Sequence, residues 1–256
     1  MIDTPTIINN CIRLKLTGIL QSYQSIAEEC CKIGASYTEY LDLLLKHETM
    51  AKDLKGQAMM LKVAKLPVLK TLQQFDFTAS NVNEMEVQEL ATLQFIANKE
   101  NIIFIGSPGT GKTHLAISLA YLATKKRMSV KFMTVADLML QMETAISQNN
   151  LKSYFSKNIT HPTLLVLDEL GYMKLNEQQA NFMFQIINTR YEIGSLIITS
   201  NLTFSQWKGV LNNDEALTAA ILDRLIHHSH ILNINGDSYR LKKKVKAGIL
   251  PIKIDN

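Results

Sequence analysis

"NIIFIGSPGTGKTHLAISLA" runs from Asn101 to Ala120. A short apolar run leads into a glycine-rich octet, and an amphipathic stretch follows. The first part reads as a buried strand and the last as a helix, by the spacing of their apolar residues. The octet Gly106-Ser107-Pro108-Gly109-Thr110-Gly111-Lys112-Thr113 therefore joins a strand end to a helix start. It fits the pattern G-x-x-x-x-G-K-[ST], and each fixed position has a physical reason. A phosphate chain needs several backbone N–H donors pointing inward, and glycine permits that curvature. The free amides and positive end of a helix favour an anion. Lys112 can reach the β- and γ-phosphates, and the Thr113 hydroxyl can ligate Mg²⁺. ATP with Mg²⁺ is the expected ligand pair.

Two further strand ends belong to the same reading. In "TLLVLDELGY", Thr163 to Tyr172, four apolar residues carry Asp168 to the C-terminal end of a buried strand. Ligands bind at that end in open α/β sheets. Asp168 is placed to hold Mg²⁺, and Glu169 to orient and deprotonate a water that attacks the γ-phosphate. "SLIITSN", Ser195 to Asn201, ends another such strand in polar residues. Its asparagine either helps position that water or simply forms a turn, and spacing leaves both readings open.

The chain around these motifs has 256 residues, with 46% hydrophobic and 20% charged residues and a formal net charge of +4. That composition supports an ordinary core and excludes wholesale disorder. Its mild basicity permits nucleic-acid binding without requiring it. Cys11, Cys30 and Cys31 form no CxxC pair, so neither a disulfide framework nor a zinc site is expected. The N-terminus lacks the pattern of a signal peptide, and no apolar run approaches the ~20 residues of a membrane span. A soluble cytoplasmic protein without a membrane partner is the expectation.

Residues 7 to about 64 read as helical, with a capping box at Ser36 and Glu39 opening a second helix that Pro67 breaks. The stripe Leu41, Leu44 and Leu45 reads as core. From about residue 83 the pattern alternates: helix 83–98, strand 101–105, helix 112–126, strand 130–134 and two short helices. Strand 163–168, helix 176–192, strand 196–200, helix 214–226 and a strand near 229–234 follow. Such alternation predicts an α/β fold with a parallel sheet covered on both faces. The expected divisions are an N-terminal helical domain at 1–66, a linker at 67–82, an ATPase core at 83–245 and a tail at 246–256. The run "HHSH" contains His227, His228 and His230, which read as structural imidazoles at a strand start, with His228 and His230 on one face. The basic clusters at residues 125–127 and 240–246 read first as solvated charge, the second also as a possible source of phosphate contacts.

The phosphate loop, the Asp168-Glu169 pair and the polar strand end resemble the AAA+ ATPases. Under that resemblance Asn201 is the sensor-1 residue. The segment Ala219 to Lys242 is similar to the arginine-finger region of the DnaA/DnaC-like clade. This makes Arg224 the candidate finger into a neighbouring subunit's ATP site, and Arg240 a weaker candidate for a second phosphate-sensing role. The short helices near 135–157, carrying Lys152 and Lys157, occupy the place of that clade's nucleic-acid-facing insertion. "YLDLLLKHE", "KLPVLKTLQQFDF", "GKTHLAISLA" and "LLVLDELGY" narrow the resemblance to the IstB family over nearly the whole chain. It implies sheet order 5-1-4-3-2 and ATP-dependent assembly of a ring or helical homo-oligomer on double-stranded DNA. It also implies help to a transposase encoded by the same element. A DnaC-like replicative helicase loader is the alternative, sharing the core but gripping a helicase.

Overall fold

The computed structural model describes residues 4–236 together with Ser238 and Tyr239. Arg240 and the basic run at 240–246 lie outside the described residues. The chain divides into two compact units, Met1–Met59 and Met60–Asn256.

The first unit is helical. It contains α1 (Thr4–Arg13), α2 (Thr17–Ile33) and most of α3 (Tyr37–Ala64). The expected capping box opens α3: the Ser36 backbone N–H donates to Glu39 Oε2 at 2.7 Å, and the Glu39 N–H donates to Ser36 Oγ at 3.3 Å. Gly18 lets α2 and α3 meet, since a Cβ there would lie 2.7 Å from both Glu48 Cα and the His47 carbonyl oxygen. The buried Glu48 carboxylate then accepts the N–H groups of Gly18 at 2.7 Å and Ile19 at 3.0 Å. These are orphan donors in the first turn of α2, so a side chain of α3 caps its neighbour. Burial alone would raise the Glu48 pKa; the two backbone donors and Lys52 outweigh it and hold the carboxyl below its ordinary value.

The leucine stripe departs from expectation. Leu44 is buried beside Ile26 and Cys30, whereas Leu41 and Leu45 are 54% and 52% exposed. The stripe covers a wider arc of α3 than the α2 contact conceals.

The second unit is a five-stranded parallel sheet with helices on both faces. Its strands are β1 (Asn101–Ile105), β2 (Val130–Thr134), β3 (Leu164–Leu170), β4 (Ser195–Ser200) and β5 (Ser229–Asn233). Their order is β2-β3-β4-β1-β5, which is the expected order read from the other edge. Pairing is parallel throughout, with Ile102 opposite both Ile197 and His230. Side chains alternate between faces, so continuous apolar runs feed two cores. Ile102, Phe104, Val166 and Ile197 enter one, with Leu115, Ala116 and Leu119 of α6 (Lys112–Lys125). Ile103, Ile105, Leu165, Leu167 and Ile198 enter the other. There they meet α7 (Val135–Ser147), α9 (Glu177–Arg190) and α11 (Glu215–His227).

The helix expected at 83–98 is two pieces, α4 (Glu84–Ala91) and α5 (Gln94–Ala97). Leu93 breaks it with φ +68° while staying 2% exposed, so burial of that side chain overrides local helix propensity. After α7 come α8 (Leu151–Phe155) and a π-helical turn at Ser156–Thr160; α10 (Trp207–Val210) precedes α11. His228 caps α11 and lies outside β5, so it does not share a strand face with His230. It lies instead beside His227 and Glu192, all three exposed, with one ligand atom from each within 4.8 Å of the others. His230 Nε2 pairs with Glu100 at 3.0 Å.

At the opposite end from the phosphate loop, Arg190 ties the starts of β3 and β4 together. It is 3% exposed and donates to the carbonyls of Ile159, Pro162, Thr163 and Ser195 at 2.6 to 3.1 Å. Burial pulls its pKa down to about 10, which leaves it charged at neutral pH.

These interactions set the expected outcome of three substitutions. Arg190→Met strands several buried carbonyls and should lower unfolding free energy by about 3 kcal/mol or more, read from urea denaturation. Gly18→Ala should cost about 1–3 kcal/mol through backbone overlap. Glu48 contributes fully above its ordinary value of 4.5, and that contribution drains away as pH falls through the depressed folded-state value. Glu48→Gln should therefore flatten the acid limb of the stability curve, measured by helical circular dichroism.

Candidate functional site

The sheet's C-terminal edge gathers the motif residues because parallel strands all end on that side. Gly106 follows β1 with φ +147°; a Cβ there would sit 1.9 Å from the Ile234 carbonyl oxygen. Gly109 and Gly111 have φ +84° and +104°, the left-handed region that glycine enters without penalty. The loop then delivers its amides to the start of α6, with Gly111 as the residue before the first helical one. The Lys112 ammonium curls over the loop and donates to the Gly106 and Ser107 carbonyls, each at 2.7 Å. This is a glycine cradle of the kind a polyphosphate needs, closed by a cation.

One bulge organises the facing strand. Register between β3 and β4 slips between Leu167 and Leu170, so Asp168 and Glu169 sit in an irregular ladder. Glu169 takes φ +65°, a strained value for a non-glycine residue, and Gly171 follows at +112°. The Glu169 N–H, displaced from regular pairing, donates to Thr199 Oγ1 at 3.0 Å. Thr199 in turn donates to Asp168 Oδ1 at 2.5 Å, and Thr113 donates to the same oxygen at 2.9 Å. Asp168 is 4% exposed and fixed by hydroxyls from two other elements. The Glu169 side chain is partly exposed and lines the cavity beyond it, with no hydrogen-bond or ion-pair partner among the described residues. Asn201 Oδ1 is buried and has no hydrogen-bond partner among the described residues.

A cavity of about 560 Å³ opens beside the loop, walled by Phe75, Gly111, His114 and Ile117 among others. The segment before the core supplies half of that wall. His114 Nε2 lies 2.9 Å from the Thr71 carbonyl, and its ring meets Phe75 edge to face at 5.4 Å. Burial pushes the His114 pKa down, partly opposed by the Thr71 carbonyl, so the ring is neutral at pH 7.

Residues 9–247 match the family model of IstB-like ATP binding proteins. The chain belongs to that family. It is 42% identical over 235 residues to the protein named for ATP binding in insertion sequence IS5376 of Geobacillus stearothermophilus, covering 91% of this chain and 93% of the other. The corresponding protein of IS21 from Pseudomonas aeruginosa is 41% identical over 239 residues, covering 93% and 89%. In fold, the chain is similar to AMPPCP-bound DnaA from Aquifex aeolicus, with TM-score 0.53 and 24% identity over 72% of this chain and 57% of that one. The P-loop AAA+ architecture of this IstB-like protein thus agrees between sheet order and structural likeness.

The structure brings together Gly106 to Thr113 and Asp168, with Glu169 attached through Thr199. Asn201 stands near Gly171, whose added Cβ would meet Asn201 Oδ1 at 3.0 Å. Arg224 is elsewhere: on α11 it donates to Asn188 Oδ1 at 3.0 Å and the Ala220 carbonyl at 2.9 Å, over the Phe184 ring. Arg240 lies outside the described residues. Thr199 was not singled out from the sequence. Its signal is a hydroxyl ending a buried apolar run in "SLIITSN", two residues before Asn201. No helix among the described residues is long and apolar enough to cross a membrane.

The geometry separates two kinds of glycine-loop variant. Gly106→Ala should cost about 3 kcal/mol or more of stability as well as ligand binding, because its new atom overlaps backbone. Lys112→Ala should lose nucleotide binding while unfolding within about 1 kcal/mol of the parent. Thermal unfolding with and without nucleotide separates the two outcomes.

Proposed function

We propose that this protein is an ATP-hydrolysing AAA+ helper of DNA transposition. In this reading ATP and Mg²⁺ bind at the strand ends, and the ATP-bound form assembles as a ring or filament on double-stranded DNA. There it assists the transposase encoded by the same insertion sequence. The observation that carries the reading is the pair of hydroxyl bonds onto Asp168 beside a glycine cradle closed by Lys112. Family membership and relatives named from insertion sequences, aligned over about nine-tenths of the chain, support the transposition context over helicase loading.

Each residue has a role in this proposal. The loop amides from Gly106 to Thr113 bind the phosphates, and Lys112 turns from its loop carbonyls toward them. Thr113 and Asp168 would hold Mg²⁺, which supplies positive charge to the phosphate oxygens when bound. Glu169, freed by the bulge from strand pairing, orients a water and accepts its proton. The unpartnered Asn201 oxygen faces the same task of positioning that water. Phe75, His114 and Ile117 offer a flat, neutral and partly apolar wall suited to a purine base. Arg224 exchanges its Asn188 bond for the γ-phosphate of a neighbouring subunit, which links assembly to nucleotide state, and Arg240 senses phosphate within its own subunit. The N-terminal helical domain, 1–66, grips DNA or the transposase; residues 67–82 link it to the core at 83–245, and 246–256 form a tail. The cytoplasm is the proposed location.

The test uses the full chain with a duplex oligonucleotide. Glu169→Gln should retain ATP binding, slow turnover by about 100-fold or more and accumulate DNA-bound oligomers. Lys112→Ala should show neither turnover nor ATP-dependent assembly. Arg224→Ala should bind ATP normally yet fail to hydrolyse it. Turnover unchanged in Glu169→Gln and Lys112→Ala, or assembly on duplex DNA indifferent to ATP, overturns the proposal.

A further inference from the structure

A second cavity, of about 350 Å³, lies on the other side of Asp168 and Glu169, toward β2. Lys131, on β2, lines it and is 8% exposed. A lysine in mid-strand on the core-facing side is costly to bury, and such groups ordinarily hold a carboxylate. Lys131 holds none: its ammonium has neither a hydrogen-bond nor an ion-pair partner among the described residues. The charges that act on it are of its own sign, from Lys65 and Lys157, and neither of those is paired among the described residues either. Burial first, then these two neighbours, push the Lys131 pKa down. The start of α7 faces the same space through Thr134 and Asp137, adding the positive end of a 13-residue helix.

Lys65 and Lys131, neither paired among the described residues, line one small cavity beside a helix N-terminus, and Lys157 lies close enough to act on Lys131; together they call for an anion. The carboxylates on the same wall decide which one. Asp137, Asp168 and Glu169 line the cavity but none pairs with Lys131. A fully ionised anion would be repelled by them. Hydrogen phosphate offsets that repulsion, since it accepts from ammonium groups and donates its own P–OH to a carboxylate. We propose that Lys131, with Lys65 and Lys157, forms a site for orthophosphate on the far side of Glu169 from the nucleotide loop. It would receive the phosphate that hydrolysis releases. The inference rests on the proposed hydrolysis for its role, though not for its chemistry. When the bond between the γ-phosphorus and its bridging oxygen breaks and water supplies the new oxygen, the product is orthophosphate. Its route past Asp168 and Glu169 ends at these lysines.

The test is calorimetric titration of the full-length Lys112→Ala protein, in which the nucleotide loop no longer competes for phosphate. The probes are orthophosphate, sulfate and dimethyl phosphate at matched ionic strength. Orthophosphate should bind one saturable site. Sulfate and dimethyl phosphate, which carry no proton to donate near neutral pH, should bind about tenfold more weakly or less. Adding Lys131→Met, which keeps the stem and removes the charge, should weaken orthophosphate by at least about tenfold. Circular dichroism checks that this variant is folded. Lys157→Met is an exposed substitution that leaves packing intact and should weaken binding several-fold, so the question stays open to refutation if the first variant fails to fold. No saturable orthophosphate binding, equal binding in the folded Lys131→Met protein, or sulfate bound as tightly as orthophosphate overturns the inference. Orthophosphate binding at Lys131 without ATP turnover in the parent protein would sink the hydrolysis reading alone. Turnover without that binding would sink only this one.

Discussion

The site depends on one carboxylate oxygen. Asp168 Oδ1 accepts from Thr113 at the start of α6 and from Thr199 at the end of β4, so a single atom joins three elements. Neither hydroxyl could reach it unless β3 and β4 were paired in parallel and α6 packed across them. The buried apolar ladder Leu164–Leu167 against Ser195–Ile198 secures the first condition. The second comes from Ala116, Ala120 and Ala123, whose small side chains are fully buried where α6 meets the sheet. A buried carboxylate of this kind is tolerated only where donors compensate its lost hydration. The core is therefore what makes the polar site affordable, and the polar site fixes the register of the strand ends above the core.

The bulge in β3 explains how adjacent acidic residues come to lie in different environments. In a regular strand, Asp168 and Glu169 would point to opposite faces of the sheet. The register slip and the left-handed Glu169 backbone break that alternation. Thr199 then does two jobs with one oxygen, accepting the Glu169 amide and donating to Asp168. One acid is locked by hydroxyls and the side chain of the other has no partner among the described residues. A metal-holding carboxylate needs fixed geometry, whereas a proton-accepting carboxylate needs an unoccupied lone pair. The backbone irregularity gives neighbouring positions the two geometries that the proposed roles of Asp168 and Glu169 require.

Much of this was legible in the sequence because the relevant signals are local. Apolar runs in "NIIFI" and "LLVL" mark buried strands, and the octet between strand and helix marks a phosphate site with little dependence on context. What was not legible depends on contacts between distant segments. Leu93 breaks a helix because its side chain is needed in the core, and nothing adjacent announces it. Leu41 and Leu45 look like core by spacing and are exposed, because hydrophobic spacing does not say how many neighbours a helix has. The Thr199 role required knowing that β3 slips against β4. His228 belongs to a helix cap instead of a strand, a shift of one residue that periodicity does not resolve.

The two lysines of the core show how burial converts the same residue type into different instruments. Lys112 is 8% exposed and satisfied by loop carbonyls that it must leave to meet a phosphate. It therefore exchanges one set of acceptors for another, and the bare loop is not left with an orphan charge. Lys131 is equally buried but has no acceptor to leave among the described residues. Its charge raises the energy of the bare protein, and any anion that reaches it recovers that cost as well as its own attraction. Such a group binds weakly held, mobile anions better than a satisfied lysine does, because nothing must be broken first. Under the proposed hydrolysis, a pair of cations arranged this way on either side of Asp168 and Glu169 would create a gradient of demand for phosphate, running from the loop that grips the nucleotide to the cavity that draws off the product.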